Sequence, residues 1–114
     1  MSRKEINQAT IIGRVGKDPD LRYFESGTSK ASFSIAVNRP TKNKETDWFD
    51  IILWGRQAEI AGEYVRKGSL VGIVGQLDWE SWNDKTSGEL VVKPVIAASD
   101  LRLRGSKADS AANN

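Results

Sequence analysis

The sequence predicts an all-β domain: a small closed barrel of five strands, one short helix between the third and fourth, and an extended hairpin made by the fourth and fifth. Three observations predict it. Five stretches rich in β-branched and aromatic residues show two-residue alternation. One stretch alone, Arg56 to Lys67, has helical spacing. Glycines interrupt the first and fourth strand stretches at Gly13, Gly72 and Gly75, where a strand serving two parts of a barrel must bend. A chain of 114 residues fits one domain, placed at 1–104 and followed by a tail at 105–114.

In chain order, Ile6 to Gly16 is the first strand, broken by Lys17-Asp18-Pro19-Asp20. Leu21 to Phe24 continues in extended form as far as the turn Glu25-Ser26-Gly27-Thr28. Lys30 to Asn38 is the second strand, with Phe33, Ile35 and Val37 on a core face and Ser32, Ser34 and Ala36 on a flat face open to close approach. Arg39 to Thr46 is a mobile polar loop with three cations, Arg39, Lys42 and Lys44; it reads equally as a solvated tip and as a contact beside Trp48.

Thr46 to Gly55 is the third strand, the strongest strand signal in the chain. Phe49, Ile51 and Leu53 form its core face. In the helix, Ala58, Ala61 and Val65 line one face, Arg66 and Lys67 occupy the last turn, and Gly68 stops it. Ser69 to Leu77 is the fourth strand, with Val71, Ile73 and Leu77 inward. It extends through Asp78-Trp79-Glu80-Ser81-Trp82 to a turn at 83–88, and Glu89 to Ala97 returns as its partner. Asp100 to Leu103 adds a short edge segment. From Gly105 onward small and polar residues predict disorder.

Composition narrows the chemistry. With no cysteine and no histidine, the chain lacks disulfides, thiolate nucleophiles, thiolate or imidazole metal sites and every triad with an imidazole base. Its 15 acidic residues show no catalytic spacing, so the reading is a non-enzyme without cofactor or metal. No apolar run approaches the ~20 residues of a membrane span. The basic pair Arg3-Lys4 is followed by no apolar signal segment, so a cytoplasmic protein is expected. A net charge of +2 permits nucleic-acid binding without requiring it.

The third strand's other face holds Trp48, Asp50, Ile52 and Trp54. Two indoles and a carboxylate make a poor buried layer, because the carboxylate needs partners and each indole N–H an acceptor. Such a face reads as a platform. The two indoles are six positions apart, roughly 20 Å along a strand at about 3.3 Å per residue. That span suits an extended ligand with repeated flat parts, of which single-stranded nucleic acid is the commonest, since every base has a π-face. Trp79 and Trp82, near the hairpin tip, either stack on bases or pack against their own hairpin or a neighbouring subunit.

Five strands, one helix and long polar loops fit the OB-fold, a Greek-key barrel that binds oligonucleotides or oligosaccharides. The segments Ile12-Gly13-Arg14-Val15-Gly16-Lys17-Asp18-Pro19-Asp20-Leu21-Arg22-Tyr23, Ala36-Val37-Asn38-Arg39, Trp54-Gly55-Arg56-Gln57-Ala58-Glu59, Tyr64-Val65-Arg66-Lys67-Gly68 and Val74-Gly75-Gln76-Leu77 resemble bacterial single-stranded DNA-binding proteins, the SSB family. The resemblance implies an OB-fold subunit, usually in a homotetramer, with a homodimer the alternative. Such a protein coats single-stranded DNA during replication, recombination and repair, is nucleoid-associated, and catalyses nothing. It places base-stacking aromatics at Trp48, Trp54 and Trp82 and cations at Arg56 and Lys67.

Trp79 is a further stacking candidate, and Arg3, Lys4, Arg14, Arg22, Lys42 and Lys44 join Arg56 and Lys67 as phosphate candidates. The sequence departs from the family pattern in three respects. The 39–46 loop has no aromatic, Asp78 and Glu80 stand where basic residues are common, and the tail lacks the acidic apolar tip that recruits replication and repair proteins. Two other readings remain open: an OB-fold protein-interaction module whose tryptophans bury against protein, and an RNA binder, since stacking does not read the 2′-hydroxyl.

Overall fold

The chain runs β1 (Ala9–Val15), β2 (Asp20–Tyr23), β3 (Ser29–Asn38), β4 (Thr46–Trp54), α1 (Arg56–Tyr64), β5 (Leu70–Asn83) and β6 (Leu90–Leu103) in a computed structural model that describes residues 5–43 and 45–104. Strand β1 closes the sheet because it serves two neighbours. Ala9 to Arg14 pair with β5, and Arg14 and Val15 also pair with β3. The ring β1-β5-β6-β4-β3 then returns to β1, the connectivity of a five-stranded Greek-key barrel. A side chain at Gly13 would stand 2.3 Å from the Ala36 carbonyl oxygen, so the bare glycine is what lets β1 approach β3. The ring's other seam is its thinnest: β4 and β6 run parallel and pair only at Ile51↔Ile96 and Ile52↔Ala97.

Alternation fills the barrel as the sequence predicts. Ala31, Phe33 and Ile35 on β3 face Leu53, Ile51 and Phe49 on β4. They meet Val15, Val71, Ile73, Ile96 and Leu101 in one core. Each fully buried aliphatic such as Ile51 or Leu53 contributes about 1.5–3 kcal/mol. Ala58 and Ala61 of α1, followed by Val65, pack into that core and tie the helix to β3 and β4.

Several boundaries differ from those expected. Leu21 to Phe24 contains a sixth strand, β2, which pairs with β3 alone. The helix ends at Tyr64, a turn earlier than the expected Lys67, because Val65 turns extended. Arg66 therefore lies beyond the helix, where its guanidinium caps it by donating to the Gly62 and Val65 carbonyls at 2.8 and 2.7 Å. Asp100 to Leu103 is no separate edge: it belongs to β6 and pairs with β5. Leu77 is 48% exposed rather than buried. It stays on the inward side of β5, but the β5–β6 hairpin leaves the barrel there as an arm. The register shift at Val74/Gly75 marks the departure, and a side chain at Gly75 would stand 2.3 Å from the Ala97 carbonyl oxygen. The expected tail at 105–114 lies outside the described residues.

Candidate nucleic-acid interface

The outer faces of β3 and β4 meet in register Ala36↔Trp48, Ser34↔Asp50, Ser32↔Ile52 and Lys30↔Trp54. Ala36 opposite Trp48, with Ser32 and Ser34 along the middle of β3, leaves the platform open; Trp48 is 60% exposed at one end and Trp54, opposite Lys30, 50% exposed at the other. The arm curls over the middle. Lys30 Nζ donates to Glu80 Oε2 at 3.0 Å, and Lys93 Nζ donates to Asp50 Oδ2 at 3.2 Å. Ser34 Oγ donates to the other Asp50 oxygen at 3.0 Å, so the carboxylate on the aromatic face has two partners. Ile52 and Val95 are buried beneath these bridges. The resulting cleft of about 230 Å³ is walled by Lys17, Lys30, Ser32, Asp50, Glu80 and Lys93 among others.

Each bridging lysine also lies near an indole. Lys30 Nζ is 5.4 Å from the Trp54 ring centroid and Lys93 Nζ is 6.0 Å from that of Trp82, at about the reach of a cation–π contact. Trp48 rests on Gly16, where a side chain would come within 2.5 Å of Cζ3 of its indole. On the arm, Trp82 shares the groove side with Glu80 and Lys93. Trp79, which pairs with Pro94, lies on the opposite side with Leu77. Three tryptophans therefore border the groove, while Trp79, 63% exposed, faces away from it.

The expected cations are scattered. Arg22 pairs across from Lys30 on the groove side of β2, and its Nε donates to Asp20 at 3.1 Å. Arg14 is in cross-strand line with Ala36 and Trp48, and its Nη1 donates to the Gly68 carbonyl at 3.2 Å. Arg56 opens α1 two residues after Trp54. Lys67 follows the helix, its backbone N–H bonded to Asp18. Lys42 is exposed in the loop after β3. Arg3, Lys4 and Lys44 lie outside the described residues. In that same loop, Arg39 is held by Asp47 and Glu45. Its hydrogen bond to Asp47 lowers the Asp47 carboxyl below the usual range, against the opposing effect of desolvation.

Sequence reasoning missed Lys30, Lys93 and Phe24. Lys30 was legible by parity, since it shares the alternation of Ser32 and Ser34. Lys93 needed the hairpin register. Phe24 needed the fold of the β2–β3 turn, which stacks its ring on Trp54 with centroids 6.1 Å apart.

Among the described residues no group of three or more potential ligands could hold a metal ion, and no helix is long and apolar enough to cross a membrane. A family profile described as "Single-strand binding protein family" matches residues 6–104. "Single-stranded DNA-binding protein 1" of Nostoc sp. is 52% identical over 104 residues, covering 91% of this chain and 87% of the relative. The protein of that same name in Synechocystis sp. is 50% identical over 108 residues, covering 93% and 89%. "Single-stranded DNA-binding protein" of Thermosynechococcus vestitus is 43% identical over 108 residues, covering 95% and 90%. A barrel of the expected connectivity, matched by the profile over nearly all its described residues, places the chain in the single-strand binding protein family.

Proposed function

We propose that this protein binds single-stranded DNA without reading its sequence and protects it during replication, recombination and repair. The observation that carries the proposal is the groove bordered by the exposed indoles of Trp48, Trp54 and Trp82, with Lys30 and Lys93 between them. The names of its relatives support it. Bases stack on the three indoles at about 1–3 kcal/mol each. Lys30, Lys93, Arg22, Arg14, Lys42, Arg56 and Lys67 offer phosphate contacts, and Arg3, Lys4 and Lys44 are further candidates by sequence. Trp79 joins only where a strand also passes over the other side of the arm. The proposal includes self-association, as a homotetramer or else a homodimer, a cytoplasmic, nucleoid-associated site of action, and replication and repair proteins as partners. A monomeric mass at micromolar concentration would count against the assembly.

The deciding experiment is a tryptophan-fluorescence titration with a long thymidine oligomer at low and high salt, with duplex DNA as control. Quenching by the single strand alone is expected, and Trp54→Ala should weaken binding at least tenfold. A loss below twofold would remove Trp54 from the platform. One observation favours the protein-interaction reading: Glu80 and Asp50 already neutralise the two groove lysines. Indoles shielded from quencher without DNA, together with no response to the oligomer, would support that reading instead.

A further inference from the structure

We propose a nucleotide subsite beyond Trp54, at the β2–β3 turn, in which Phe24 stacks a base and Arg22 and Lys30 hold its phosphate; it rests on the single-strand reading above. Several observations carry it. Arg22, Lys30 and Trp54 stand abreast on one face through the registers Arg22↔Lys30 and Lys30↔Trp54. Phe24 continues that row, its ring 6.1 Å from Trp54 between centroids and inclined by 29°, the offset arrangement of two rings forming one ramp. A cleft of about 320 Å³ opens beside it, walled by Asp20, Arg22, Phe24, Lys30 and Ser32.

The turn that presents Phe24 is also held firmly. The Phe24 N–H donates to the Thr28 carbonyl at 2.9 Å, the Gly27 N–H donates to the Phe24 carbonyl at 2.8 Å, and Gly27 takes the positive φ of 89° that the turn needs.

Phe24 is 46% exposed and its ring partner is itself half open, so both rings are accessible to a base. The charges nearby suit one nucleotide. Arg22 spends one N–H on the exposed carboxylate of Asp20, and its terminal nitrogens make no hydrogen bond within the described residues. A base stacked on Phe24 thus has a guanidinium and an ammonium beside it for the adjoining phosphate. The ligand class is one further nucleotide of a single strand, so the strand's path runs past Trp54 onto the turn.

The test compares wild type, Phe24→Leu, Phe24→Trp and Arg22→Gln in titrations with a long thymidine oligomer, with thermal melts to confirm folding. Leucine keeps apolar bulk against Trp54 but removes the π-face. Phe24→Leu should weaken binding at least fivefold, whereas Phe24→Trp should bind at least as tightly as wild type and add to the quenching amplitude. Arg22→Gln should flatten the dependence of affinity on salt by about 0.7 log units per log unit of salt. Binding by Phe24→Leu within twofold of wild type would overturn the subsite. Because Trp54→Ala is read separately, that result leaves the groove reading standing, while a wild type that no single strand quenches ends both.

Discussion

Lys30 bonds Glu80 across the groove at 3.0 Å while its ammonium lies 5.4 Å from the Trp54 ring centroid, so one cation joins the arm to the platform. Both side chains of this pair are partly shielded. An incoming phosphate must compete with a built-in carboxylate there, and less free counterion is released than from an open lysine. Glu80→Gln is therefore expected to tighten single-strand binding at low salt and to steepen the salt dependence by about 0.7 log units per log unit. Titrations at several salt concentrations check this; an unchanged slope would mean that Lys30 does not meet phosphate.

Gly16 and Trp48 offer a way to separate binding from folding. A methyl at position 16 would strike the end of the exposed Trp48 indole, which can swing aside. Gly16→Ala should shift Trp48 and weaken oligomer binding by threefold or more, with the melting temperature nearly unchanged. A large thermal loss would show instead that the contact supports the barrel.

At Gly75 the obstacle is backbone, with the Ala97 carbonyl oxygen and Ala98 Cα both within 3 Å of an added methyl. Gly75→Ala should cost about 1–3 kcal/mol in stability. Denaturant unfolding measures this, and a midpoint matching wild type would contradict the close approach.

The arm's tip depends on one carboxylate. Asp84 Oδ1 accepts from the Thr86 and Ser87 N–H groups at 2.7 and 3.1 Å, and those bonds, Ser87 first, lower its pKa. A carboxyl with a depressed pKa in the fold adds stability fully above its ordinary value of about 4. That stability is lost as pH falls through the lower folded value. Amide exchange protection at Thr86 and Ser87 should thus hold down to about pH 4 and fall below it. In Asp84→Asn the dependence should vanish. Protection that already fails between pH 7 and pH 5 would contradict this assignment.

The sequence carries the barrel because alternation is local: Phe33, Ile35, Ile51 and Leu53 each declare their face by parity, and each is buried. It carries Trp48 and Trp54 for the same reason. It does not carry Leu77, because strand parity cannot say where a hairpin leaves its barrel. The bridges Lys30–Glu80 and Lys93–Asp50 join residues 50 and 43 positions apart, and only the curl of the arm brings them together. Nor does the sequence carry the helix end, because Arg66 acts there through its side chain, from a residue already outside the helix.

Trp79 and Trp82 lie three residues apart on opposite sides of the arm, and this divides the protein's fluorescence into a responsive and a silent part. A strand confined to the groove dims the indoles that border it and leaves Trp79 shining at constant intensity. Saturation should therefore end on a residual emission that Trp79→Phe abolishes. The molecule then carries its own internal reference, against which a single strand that wraps the whole arm would be recognised by the disappearance of that last light.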